Sequence, residues 1–202
     1  DVYKRQPLDK DQKFLWWAIT GQAGAGKSRL ALEFLKRSTG SWFGFFINDK
    51  ATQEDFDSFE PFNNTVIVID YVAGREGFVA NAIRSIKEKF ENVDYKVRIL
   101  LLERENSRNA SSWYYKLIQR IGKYDSYDLK STEYENYFLN LGDLDKASVE
   151  ILIKEVMNQR GIEAADTVAY ELCEAYGKKY EKLQFRPLFV QIFVEAWIEN
   201  DF

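Results

Sequence analysis

The residues of this chain that are best suited to chemistry form one continuous run. Residues 21–28 read Gly-Gln-Ala-Gly-Ala-Gly-Lys-Ser, which fits the pattern G-x-x-x-x-G-K-S. Glycines allow tight turns that bring backbone N–H groups against phosphate oxygens, and a helix that begins there adds the positive end of its dipole. The run therefore predicts a phosphate-binding loop. The residues predicted to contact phosphate or nucleotide are Gly21, Gln22, Ala23, Gly24, Ala25, Gly26, Lys27, Ser28 and Arg29.

A second anchor is Asp70, which ends the apolar, β-branched run Thr-Val-Ile-Val-Ile. Such a run is typical of a strand buried on both faces of a parallel sheet. Its carboxyl end lies at the edge where open α/β sheets bind ligands. Ser28 and Asp70 are thus the predicted magnesium ligands, and Lys27 is predicted to reach the β- and γ-phosphates. The alternative is an aspartate that only caps the following turn.

The residue after Asp70 bears on hydrolysis. Many ATPases place a glutamate there to polarise the attacking water, whereas this chain has Tyr71. Tyrosine is a poor base at neutral pH, because the phenol pKa is ordinarily about 10. Glu76, Glu103 and Glu105 are other acids near the same edge, and spacing does not choose among them. The sequence leaves slow and brisk hydrolysis equally open.

Arg104 follows the apolar strand Val-Arg-Ile-Leu-Leu-Leu-Glu and is predicted to point into the same edge of the sheet. An arginine there could contact the γ-phosphate and report its presence. The alternative is an ion pair with Glu103 or Glu105 at the surface. The predicted catalytic set is Lys27, Asp70 and Arg104.

The hydrophobic pattern predicts five strands alternating with helices, followed by helices alone. This indicates an α/β fold, with a five-stranded parallel sheet flanked by helices and then a small all-helical lid. The predicted organisation is a polar tail at 1–13, a nucleotide-binding core at 14–142 and a helical subdomain at 143–202. Trp16, Trp17, Trp42 and the run Phe43–Ile47 are interpreted as core. The strands are expected at 14–20, 42–47, 65–69, 97–102 and 137–141.

Composition excludes several classes of function. The chain contains no histidine, which rules out Ser-His-Asp and Cys-His nucleophile systems and zinc sites with a histidine ligand. The one cysteine, Cys173, is predicted to be a buried thiol. A net charge of −4 does not indicate nucleic-acid binding. No apolar run is long enough to span a membrane, so a cytoplasmic protein is expected. Both ends of the chain look cut, as in a fragment of a longer protein.

In its motif order the chain resembles the STAND-type ATPases, the signal-transducing branch of the AAA-like P-loop proteins. The resemblance covers residues 15–199. It rests on the Walker A loop with its flanks, the Walker B strand ending at Asp70, the strand before Arg104, a Leu-Gly-Asp-Leu stretch followed by a helix, and the segment Phe-Arg-Pro-Leu around Pro187. Pro187 resembles the lid proline that lies near the nucleotide base. The usual glycine before it is absent, and Arg186 becomes a candidate second phosphate sensor.

The resemblance implies a switch that binds ADP when inactive, exchanges it for ATP with Mg²⁺ and then forms a homo-oligomer. It also implies sensor and effector domains outside this chain, in a signalling role such as bacterial defence or regulation. Two alternatives remain: a small-molecule or polynucleotide kinase, which the arginines near 104–108 favour, and a scaffold that binds ATP without hydrolysis, which Tyr71 favours. Trigger, effector, base preference and oligomer size lie beyond the sequence.

Overall fold

The computed structural model describes residues 11–105, 109–122, 133–180 and 185–199. The predicted tail at 1–13 therefore lies mostly outside the described residues, as does Arg108. The chain divides into two compact units. The first comprises residues 1–21 and 27–140, and the second comprises residues 22–26 and 141–202.

The first unit is built on a five-stranded parallel sheet, which confirms the predicted fold class. The strand order is β2-β3-β4-β1-β5, and β1 pairs in parallel with β4, as does β3 with both β4 and β2. The strands are β1 Phe14–Gly21, β2 Phe43–Phe46, β3 Thr65–Asp70, β4 Val97–Glu103 and β5 Glu133–Leu141. The last of these begins earlier than the sequence pattern predicts.

Helices connect these strands and supply the rest of the core. They are α1 Lys27–Ser38, α2 Gln53–Ser58, α3 Glu76–Glu91 and α4 Trp113–Gly122. The apolar residues of β3 and β4 are fully buried, as expected for central strands covered on both faces. Trp16 and Trp17 are buried, which confirms their assignment to the core.

The prediction that the whole aromatic run of β2 lies in the core is wrong. Phe43 and Phe46 are 41% and 36% exposed, and Trp42 is only half-buried. The reason is the position of β2 at the edge of the sheet, where a strand has a partner on one side only. The rings of Phe43 and Phe62 instead pack on each other, with centroids 4.9 Å apart.

The first unit contains a buried cation. Arg98 is fully buried near the start of β4, and its Nη1 donates hydrogen bonds to the carbonyl oxygens of Gln12 and Val97 at 2.9 and 3.0 Å. Burial lowers the pKa of Arg98 to about 10, so the guanidinium remains charged at neutral pH. It lies at the end of the strand opposite to Glu103, which gives it a structural task away from the ligand edge.

The second unit contains helices α5 Lys146–Gln159, α6 Asp166–Lys179 and α7 Pro187–Glu199. Asp145 caps α5, because its side chain accepts a hydrogen bond from the Ser148 N–H at 2.7 Å. The apolar faces of the three helices form one core that includes Cys173, which is 1% exposed and confirms the predicted buried thiol. No helix in the described part of the chain combines the length and apolarity needed to cross a membrane.

Candidate functional site

The parallel register brings three strand ends to one edge of the sheet. Thr20 of β1 lies opposite Glu103 of β4, and Asp70 of β3 lies opposite Leu102. The carboxyl ends of β1, β3 and β4 therefore finish side by side. In open α/β sheets this edge is where ligands bind.

At this edge the structure brings the two predicted magnesium ligands together. The Ser28 hydroxyl, in the first turn of α1, donates a hydrogen bond of 2.8 Å to Asp70 Oδ2. A hydroxyl and a carboxylate in contact are hard oxygen donors of the kind Mg²⁺ takes, with water and phosphate oxygens completing its shell. The described residues contain no cluster of three or more His, Cys, Asp or Glu side chains that could hold a metal alone.

Lys27 lies beside this pair and is folded back onto the loop. Its Nζ donates a hydrogen bond of 2.6 Å to the carbonyl oxygen of Gly21. Partial burial lowers the pKa of Lys27 below its usual range; Asp70 opposes this shift, Arg104 adds to it and Glu103 opposes it. The ammonium is thus partly dehydrated and close to both acids.

The loop itself has the backbone shape that its glycines permit. Gly24 and Gly26 have φ angles of 81° and 89°, in the left-handed region that other residues rarely adopt. Between them, the Ala25 N–H donates a hydrogen bond of 3.1 Å to the Gln22 carbonyl oxygen and closes a turn. Arg29, predicted to contact nucleotide, is exposed on α1 and pairs with Glu33 at 3.2 Å.

Within the second unit, residues 22–26 contact the start of α7. The Leu188 N–H donates a hydrogen bond of 3.2 Å to the Gly24 carbonyl oxygen. Arg186 Nη1 donates one of 3.3 Å to the Ala23 carbonyl oxygen. A Cβ atom on Gly26 would lie 3.9 Å from Pro187 Cγ. Pro187 and Arg186 are therefore next to the loop.

Tyr71 has an unusual backbone. Its φ is 57°, and no other residue except glycine has a positive φ in the described ranges. Its N–H donates hydrogen bonds to Asp70 Oδ1 at 2.9 Å and to the Leu102 carbonyl oxygen at 3.1 Å. Non-glycine residues in this conformation are costly and cluster at functional sites. The turn thereby orients Asp70, while Tyr71 itself is 58% exposed.

Arg104 reaches this ring. Its guanidinium carbon lies 5.6 Å from the centroid of the Tyr71 ring, within the range of a cation–π contact. The side chain is exposed, and in the described part of the chain it forms no ion pair with Glu103 or Glu105. The positive charge of Arg104 also contributes to the lowered pKa of Lys27. The structure therefore places Arg104 at the same edge as the loop lysine.

Glu103 is the residue whose role sequence reasoning missed. The residue is 5% exposed, and both of its carboxylate oxygens accept backbone hydrogen bonds: Oε2 from the Ala73 N–H at 2.7 Å and Oε1 from the Arg104 N–H at 2.6 Å. A carboxylate occupied in this way holds the turn after β3 against the end of β4. The buried Glu76 is also used locally, since its Oε1 accepts the Gly74 N–H at 3.1 Å. For Glu103, the available sequence signal was an acidic residue at the end of an apolar strand.

Comparisons of the chain with known protein families and with curated proteins give no match. Solved structures with a similar chain path include a single-residue variant of RuvB from Thermotoga maritima, with 13% identity, a TM-score of 0.49 and coverage of 92% of this chain. Caenorhabditis elegans PCH-2 has 14% identity, a TM-score of 0.42 and 98% coverage, and a katanin has 14%, 0.43 and 88%. The part matched by this chain is 63%, 63% and 62% of the length of these three chains, respectively.

Replacement of Glu103 by glutamine should loosen the turn after β3. An amide has one acceptor oxygen, so either the Ala73 or the Arg104 N–H loses its partner, at a cost of about 1–3 kcal/mol. We expect a lower midpoint of thermal unfolding and faster hydrogen exchange at those two amides. The exposed neighbour Glu105 is the matched control, and Glu105→Gln should change neither quantity. Unchanged exchange in Glu103→Gln would contradict the role assigned to this carboxylate.

Proposed function

We propose that this chain binds ATP with magnesium, hydrolyses it slowly and serves as the nucleotide switch of a larger signal-transducing protein. The observation that carries the proposal is the hydrogen bond between Ser28 and Asp70 at the end of the phosphate loop. A loop hydroxyl and a strand-end carboxylate in contact form the arrangement by which P-loop proteins hold Mg²⁺.

Lys27 and the loop supply the second part of the proposal. The Lys27 ammonium lies on the Gly21 carbonyl and is partly dehydrated, so a phosphate oxygen is a stronger partner for it than a neutral carbonyl. Backbone N–H groups of the loop bind further phosphate oxygens. Mg²⁺, held by Ser28 and Asp70, would neutralise charge that develops on the phosphates. Lys27, Asp70 and Arg104 are the proposed catalytic residues.

Slow turnover is favoured by what surrounds Asp70. Tyr71 stands where a water-polarising glutamate is common, and tyrosine is a weak base at neutral pH. Glu103 is a weaker base than a free carboxylate would be, because a backbone N–H group donates to each of its oxygens. The nucleotide would then stay bound long enough to act as a signal. This supports a switch over a rapidly cycling motor.

The wider role depends on the resemblance to STAND-type ATPases. It supports exchange of ADP for ATP, assembly into a homo-oligomer in the ATP state, and sensor and effector domains beyond this chain. Arg104 is the proposed reporter of the γ-phosphate. Its exposed guanidinium rests on the Tyr71 ring, and a cation–π contact at an exposed site is worth only about 0.5–1 kcal/mol. A phosphate can therefore draw it away.

Loss of the loop lysine should remove triphosphate binding. In Lys27→Ala the loop loses its one side-chain cation on the phosphates, and we expect ATP affinity to fall by at least about a hundredfold, or about 2.7 kcal/mol. Isothermal titration in the presence of Mg²⁺ measures this. Lys36→Ala, on the exposed face of the same helix, is the control and should bind ATP normally. Equal affinity in the Lys27 variant and the native chain would overturn the nucleotide proposal.

Arg104→Ala should separate the two nucleotides. If Arg104 contacts only the γ-phosphate, ADP affinity stays within about twofold while ATP affinity falls by roughly tenfold, the value of one charge-assisted hydrogen bond. Titration of both nucleotides gives the ratio. Arg75→Ala, another arginine over an aromatic ring in the same unit, is the control. Losses of the same size for ATP and ADP would count against a sensor role.

Turnover distinguishes the switch from a scaffold that only binds ATP, the alternative that Tyr71 favours. For the switch we expect measurable phosphate release that is lost in Asp70→Asn, because the amide is a poorer magnesium ligand than the carboxylate. Single-turnover release of labelled phosphate provides the measurement. Native release no faster than in Asp70→Asn, with ATP binding intact, would establish the scaffold instead.

A further inference from the structure

We propose that Arg186 is a positioning residue that fixes the phosphate loop from its carbonyl side and does not contact the phosphates. The inference rests on the proposed function, since it assigns a part of the nucleotide site to the segment before α7. It replaces the earlier interpretation of Arg186 as a second phosphate sensor. All the residues concerned belong to the second unit.

Two consecutive loop carbonyls are bound by this segment. Arg186 Nη1 donates to the Ala23 carbonyl oxygen at 3.3 Å, and the Leu188 N–H donates to the Gly24 carbonyl oxygen at 3.2 Å. Both donors come from one short segment at the start of α7, where backbone N–H groups have no partner within the helix. The Gly24 carbonyl thus gives the Leu188 N–H at the helix start a hydrogen-bond partner, and the same bond fixes the orientation of the loop.

Peptide geometry links the contact at the Ala23 carbonyl to the direction of the Gly24 N–H. The chain contains no cis peptide bond in its described residues, and in a trans peptide the C=O and the following N–H point in opposite directions. Fixing the Ala23 carbonyl towards Arg186 therefore directs the Gly24 N–H to the other side. An N–H held in that direction before the ligand arrives has no reorientation cost when it meets a phosphate oxygen.

The arginine itself is held in place. Its side chain is 17% exposed, its Nε lies 3.8 Å from Asp143 Oδ1, and its guanidinium carbon lies 5.7 Å from the centroid of the Phe189 ring. Contacts with a carbonyl, a carboxylate and a ring restrict the movement of the guanidinium on three sides. This suits a fixed clamp better than a side chain that must move to follow a phosphate.

Gly24 shows how closely the loop approaches α7. A Cβ atom there would lie 3.3 Å from Leu188 Cβ, and the residue has a φ of 81°. The close approach is what brings the Gly24 carbonyl within reach of the Leu188 N–H. A larger residue at Gly24 would be strained by its backbone and would also press on the helix, so the glycine serves the clamp as well as the turn.

The test compares ligands that differ in their phosphates. Arg186→Gln shortens the side chain and removes the donor to Ala23. We expect the affinities for ATP, ADP and inorganic pyrophosphate to fall by the same factor, about tenfold, so that the ratio of ATP affinity to ADP affinity stays as in the native chain. Isothermal titration of each ligand gives these values.

Arg160→Gln is the matched control, since Arg160 pairs with Glu195 of the same unit at 2.6 Å and is not in contact with the loop. It should leave all three affinities unchanged. A loss confined to ATP would assign Arg186 to the γ-phosphate and overturn the proposal, as would unchanged affinity. If Arg186→Gln does not fold, Arg186→Lys gives the same comparison: equal losses for ATP and ADP support the clamp, and any other result overturns it. Failure of the native chain to bind any of these ligands would instead defeat the proposed function.

Discussion

The parallel pairing of β1, β3 and β4 is the constraint on which the rest of the first unit depends. A parallel register finishes its strands at one edge, and here it puts the end of β1 opposite Glu103 and Asp70 opposite Leu102. Helix α1 begins at Lys27, directly after the loop that follows β1, and the Ser28 hydroxyl in its first turn contacts the Asp70 carboxylate. Without that register the loop, the carboxylate and Arg104 would be three unrelated features of the surface.

The sequence predicts most of this architecture, because the relevant signals are local. A β-branched run such as residues 65–69 is typical of a central strand. A glycine-rich turn before an amphipathic helix can likewise be identified from its own residues. The position of β2 cannot. Phe43 and Phe46 look like core residues until the strand order puts them at the edge, and strand order is decided by packing between distant segments.

The site divides in the same way. Lys27, Ser28, Asp70 and Arg104 could be chosen from motif and strand end, and the structure brings them to one edge of the sheet. The roles of Glu103 and Arg186 could not be predicted from the sequence, because their partners are backbone groups. Glu103 accepts from the N–H groups of Ala73 and Arg104. Arg186 donates to the Ala23 carbonyl oxygen. Side-chain identity carries no record of such partners, since any residue can supply a peptide group.

The left-handed backbone of Tyr71 sets the stability of the fold against the proposed activity. A non-glycine residue in this conformation costs about 1–3 kcal/mol, so glycine would be the more stable choice at this position. A search for thermally hardened variants would therefore select Tyr71→Gly. That variant would also remove the ring on which Arg104 rests. At this position, raising the thermal stability and keeping the contact between Arg104 and the Tyr71 ring are therefore opposed aims.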